Sequence, residues 1–138
     1  MKKGQGGKMA DSFFYEGGKL KVNLFSDIAE NQAKDISDNK MGPSYTQMRK
    51  FFDEVIGYKT QFLANGSLFD EKLPYIKMLN AKFAYSFARA KTTKMSDKCK
   101  RFFVDRVNAV NTKDDFMVFA DFFEAFMAFY KFHRGDNK

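Results

Sequence analysis

From Ser26 onward the apolar positions of this chain recur every three and four residues, a spacing that lines up side chains on one face of an α-helix. Five helices follow from that pattern. The first spans about 26–37, with Ser26 as N-cap, Asp27 in the first turn, and Ile28, Ala29, Ala33 and Ile36 on one face. The second opens at Ser44, which with Gln47 makes an S-x-x-Q capping pattern. Its apolar face is Tyr45, Met48, Phe51, Phe52, Val55 and Ile56, and ANGS near position 65 closes it. The third begins at Pro74, a residue suited to the first helical position, and buries Ile76, Leu79, Phe83 and Phe87. The fourth covers about 96–110 and lines up Met95, Cys99, Phe102, Phe103, Val107 and Val110. The fifth starts on a capping box from Thr112 to Asp115 and stops at Gly135.

Ahead of these helices, FFYEGGKLKVNL alternates briefly and contains a GG turn, but a lone hairpin is marginal without partners, so irregular structure is expected there. The opening MKKGQGGKMADS is Gly/Lys-rich, a composition that stays disordered in isolation. The expected architecture is all-α: a single-domain, compact bundle of about five helices over 22–138, after a flexible basic segment at 1–21. The fifth helix carries more apolar surface than an ordinary surface helix. Phe116, Phe119, Phe122, Phe123, Phe126, Phe129 and Tyr130 cover about half its circumference, against a usual stripe of about 100°. Either it is the central helix, or its margin around Phe122 and Phe129 packs on another subunit.

Composition narrows the function. With 138 residues the chain has the length of one domain, and its 18 Phe, 6 Tyr and 8 Met, with no Trp, make large flat side chains the main core material. A single cysteine, Cys99, allows no internal disulfide, and the lone His133 excludes metal sites and triads that need several such groups. Nothing in the sequence calls for a metal or a cofactor. No apolar run reaches the roughly 20 residues of a membrane span, and the basic start lacks the apolar segment of a signal peptide, so a cytoplasmic protein is expected. The formal net charge is +7, and residues 72–106 alone carry +8. A basic block confined to one structured third points to a polyanionic partner, with a solvated Lys/Arg face as the competing reading.

The third helix has the most readable surface. Lys82, Tyr85 and Arg89 fall within about 60° of one another, away from the apolar face. Cations there can pair with phosphates and the ring can stack on an unpaired base; alternatively Tyr85 packs on a neighbouring helix. Arg49 and Lys50 lie early in the second helix, where the positive end of the dipole disfavours cations. Asp53 and Glu54 lie four residues on, but with the base N-terminal to the acid such pairs return only a few tenths of a kcal/mol. Arg106 interrupts an apolar stripe and is expected to pair with an acid such as Glu124. Cys99 reads as an inert core thiol, and His133 as a residue favoured near a helix C-terminus. There is no Gly-rich phosphate loop or nucleophile elbow. The residues describe a basic helical binding protein.

TQMRKFFDEV, followed by LPYIKMLNAKFAYSFARAK and then FADFFEAFMAFYK, resembles the small subunit of type III-A (Csm-type) CRISPR effector complexes over about residues 24–132. The resemblance implies an all-helical, non-catalytic subunit present in several copies, stacked beside the backbone subunits that hold the guide RNA, with a basic face toward guide and target RNA. RNA cleavage then belongs to the backbone subunit, and the DNA and cyclic-oligonucleotide activities to the large subunit. Arg49 and Lys50 lie in the first motif and Arg89 in the second, so their cost to the helix is that of a surface aimed at phosphates. Lys77, Lys82, Lys91, Lys98, Lys100 and Arg101 are further RNA candidates from the charge block alone. Three other readings remain open: a basic adaptor for acidic proteins, a metal-independent ribonuclease using Tyr and Lys, and a small subunit of another CRISPR type.

Overall fold

The structure is a computed structural model describing residues 12–37, 43–90 and 94–135, with side chains over the same ranges except 86–100. In chain order it places β1 (Tyr15–Glu16), β2 (Lys19–Leu20), one π-helical turn (Leu24–Ile28), α1 (Ala29–Ser37), α2 (Tyr45–Ala64), α3 (Leu68–Lys77), α4 (Leu79–Ala90), α5 (Lys94–Asn108) and α6 (Lys113–Arg134). The all-α class holds, and the two-residue strands form the only sheet among the described residues.

The two longest helices begin where local side-chain chemistry says they should. Gln47 Oε1 accepts from the Ser44 N–H at 2.8 Å while Ser44 Oγ accepts from the Gln47 N–H at 3.1 Å, which satisfies two amides that α2 leaves without partners. Thr112 and Asp115 repeat the device at α6, where the carboxylate also takes the Asn111 N–H at 3.0 Å. Gly135 ends α6 at φ 76°, a left-handed conformation that costs a residue with a Cβ.

α6 is the central helix, flanked by α1 and α2. Phe116, Phe119, Phe122, Phe123, Phe126 and Tyr130 are all buried, and their rings pack edge-on or stacked against rings from every side. A chain of rings runs outward from it: Phe123 to Phe103 at 5.3 Å, Phe103 to Phe83 at 4.5 Å and Phe83 to Phe51 at 4.3 Å, linking α6, α5, α4 and α2. Burying each such side chain stabilises the fold by about 1.5–3 kcal/mol, and well-placed ring pairs add about 0.5–1.5 kcal/mol.

Four features depart from the expectations above. The first helical segment starts at Leu24 rather than Ser26: Leu24 is fully buried, and Ser26, inside the π turn, donates its Oγ–H to Asn23 O. The predicted third helix is two helices. α3 starts at Leu68 and holds Pro74 in its interior, and the chain passes through Met78 into α4 with Met78 still in helical geometry. FFYEGGKLK is a hairpin, with Tyr15 opposite Leu20 and Glu16 opposite Lys19, turned by Gly17 and Gly18 at φ 62° and 81°. The partner it needed is the bundle: the Phe13 and Phe14 rings sit 5.1 and 6.1 Å from Phe122. That contact produces the fourth difference. Phe122, on the margin offered to another subunit as the alternative to a central helix, is 1% exposed beneath the hairpin, and Phe129 is half-buried against the same core.

Arg106 also finds a different partner from the one expected. Its guanidinium lies 3.7 Å from the centre of the Phe13 ring and 5.3 Å from that of Phe102, and its Nε–H reaches Phe102 O. Glu124 is exposed instead. Burial pushes the Arg106 pKa down, with Asp105 opposing, and the aromatic faces supply the attraction that an acid would have given. His133 bridges α6 to α1 through Glu30 at 2.9 Å. Cys99 is among the residues whose side chains are not described.

Candidate nucleic-acid interface

Phe51 of α2 packs against Phe83 of α4, Glu54 and Lys82 bridge the two helices, and Lys50 stands beside the valley between them, while Arg49 lies about 160° round α2 from Phe51. Arg49 and Lys50 are exposed one turn into α2. Arg49 does form its weak pair: Nε donates to Asp53 Oδ1 at 3.0 Å, and Nη1 reaches Tyr45 Oη at 3.4 Å. The hydrogen bond to Asp53 is the main cause that raises the Arg49 pKa. The fork of the guanidinium keeps donors for a second anion. Lys50, by contrast, forms no ion pair among the described residues, because Glu54 turns across the valley to Lys82 Nζ at 2.5 Å. Lys82 therefore ties α4 to α2.

Tyr85 is 66% exposed on α4. Tyr58 lines the valley half-buried; burial raises its pKa first, with Glu54 adding, Lys82 opposing and Tyr75 raising it further. Tyr75 itself is 52% exposed on α3. Sequence reasoning passed over Tyr75, because with Pro74 taken as a helix start it belonged to a first turn with no face of its own. The signal was present: at 100° per residue Tyr75, Met78, Lys82, Tyr85 and Arg89 all fall within about 80°, and the helical geometry at Met78 carries that line across the α3–α4 joint.

Lys77 and Arg101 lie elsewhere. The Lys77 ammonium donates to Val107 O at 3.0 Å, Asn108 O at 3.2 Å and Val110 O at 2.6 Å, closing the C-terminal end of α5, whose carbonyls favour a cation. Burial lowers its pKa, with the charge of Asp115 opposing. Lys77→Met should cost about 1–3 kcal/mol of stability while leaving RNA affinity nearly unchanged, to be read from a melting curve beside an RNA titration. Arg101 is exposed over a cavity of about 520 Å³ between α1 and α5, lined also by Gln32, Asp35, Asp105 and Arg106. Two carboxylates and two guanidiniums offset each other there, so the cavity offers a polyanion little net attraction. Arg89, Lys98 and Lys100 sit on α4 and α5 at positions whose side chains are not described, and Lys91 lies outside the described residues. No group of three His, Cys, Asp or Glu side chains converges as a metal site among the described residues, and no helix there is long and apolar enough to cross a membrane.

Fold and charge define the class of an all-helical basic protein. Residues 19–136 match the Csm2 Type III-A family, so the chain belongs to that family, the small subunit of type III-A CRISPR effector complexes. Comparison with curated proteins and with solved structures finds no match.

Proposed function

We propose that this protein is a non-catalytic RNA-binding small subunit, stacking in several copies beside the guide-RNA backbone and touching guide and target RNA through the α2–α4 valley. The observation that supports this most is the position of Arg49 and Lys50, both exposed near the start of α2, Lys50 without an ion pair among the described residues, at a point in the helix where cations add no stability. A surface of phosphates gives them their use. The half-buried Phe129 remains the candidate contact between copies, and the backbone and large subunits are the remaining partners. The cytoplasm, where the effector would meet transcripts, is the proposed location.

Co-expression with a guide RNA and type III-A backbone and large subunits tests the reading. The chain should co-purify with the ribonucleoprotein, and a chain that stays free would overturn it. An adaptor for acidic proteins would instead show no preference for RNA over other polyanions, and a ribonuclease would turn RNA over by itself.

A further inference from the structure

We infer that Tyr75 and Tyr85 are two base-stacking platforms, and that the strand taken by the α2–α4 valley is single-stranded RNA with unpaired bases turned toward the protein. The inference rests on the RNA-binding reading above and specifies its ligand. Both rings are more than half exposed, Tyr75 at 52% and Tyr85 at 66%, in a protein that buries twelve of the seventeen phenylalanines whose side chains are described. Met78, also largely exposed, fills the step between them.

The charges beside the rings favour a polyanion over an apolar protein face. Lys72 Nζ lies 5.6 Å from the centre of the Tyr75 ring and Lys50 stands beside the valley, while Lys82, between the two rings along the helix, is already paired with Glu54. Glu71, one turn before Tyr75, ends the strip with the opposite sign. A base stacked on tyrosine leaves its phosphate within reach of such lysines, and stacking is tolerant of base identity because every base has a flat face. Ten helical residues separate the rings, a rise of about 15 Å. That is about four base steps at 3.4 Å each, so the rings take non-adjacent bases of one strand. A duplex keeps its bases stacked inside and gives the rings nothing to cover, which makes strand state the property this surface reads.

The test uses the full chain with two oligoribonucleotides of equal length, one with 2-aminopurine among ordinary bases and one abasic throughout. The parent should bind the base-bearing strand more tightly by roughly tenfold per engaged ring and quench the 2-aminopurine fluorescence. Tyr75→Leu should lose about tenfold on the base-bearing strand and part of the quench, while its affinity for the abasic strand and its salt dependence stay as in the parent. Tyr75→Phe, which keeps the flat face, should behave as the parent. A parent that binds both strands equally, or a Tyr75→Leu variant that weakens on both, overturns the stacking inference alone. A parent that binds neither overturns the RNA reading and the inference with it.

Discussion

Arg49→Glu combined with Lys50→Glu melts like the parent and binds single-stranded RNA at least about tenfold more weakly. Both side chains lie on the solvent face of α2, and surface reversals of this kind usually move stability by no more than about 0.5 kcal/mol. The folded-state interactions lost are the exposed Arg49–Asp53 pair and the long Arg49–Tyr45 hydrogen bond, which contribute little in water. The double change places acids four residues apart at 49/53 and at 50/54, each a repulsion of a few tenths of a kcal/mol that the helix N-terminus partly offsets. Binding responds to different terms. Each reversal removes one phosphate attraction and adds one repulsion, and the log–log salt slope, about −0.7 per neutralised phosphate, should flatten by about 1.4 for the two. Lys50 carries the larger share, since Arg49 already shares its charge with Asp53. Melting curves and titrations at three salt concentrations measure both effects. A variant that melts normally and binds as well as the parent shows that the RNA face lies elsewhere.

Phe123→Ala should produce the opposite pattern, a loss of about 3–5 kcal/mol and a fall in Tm of roughly 10–20 °C. Phe123 is 1% exposed, and its ring meets those of Phe52, Phe103, Phe119 and Phe126, so removing it opens a cavity at the point where α2, α5 and α6 converge. A total stability of 5–15 kcal/mol leaves little margin for such a change. Denaturant unfolding gives the number directly, and a cost below about 1 kcal/mol would mean that α6 is not the centre of the bundle.

How far the sequence could be read depended on whether the deciding interaction was local. α2 and α6 were legible at their starts because Ser44 with Gln47, and Thr112 with Asp115, lie three residues apart and bond each other's backbone. Pro74 misled because the same ring suits a first turn and can also sit inside a helix; nothing within a few residues separates α3 from α4. The hairpin was illegible for the reason that makes it stable, since Phe13 and Phe14 rest on Phe122, more than a hundred positions later. Lys77 and Lys82 carry the same charge five residues apart, yet one ends on the carbonyls closing α5 and the other on Glu54 of α2. Only the three-dimensional arrangement assigns those ends. Arg49 and Lys50, by contrast, needed just the helical period to be placed on the solvent face, which is where they stand.

The hairpin also extends the packed core beyond the stretch that the family model matches. The family match opens at residue 19, on β2, while the aromatic cover over α5 and α6 comes from Phe13 and Phe14 on the chain just before it. A protein trimmed to the shared stretch would lose the lid over Phe122 and the ring on which Arg106 rests, leaving an oily seam beside a half-sunk cation. The family match therefore opens six residues after Phe13, the first ring of that cover. That short stretch is what keeps the seam dry.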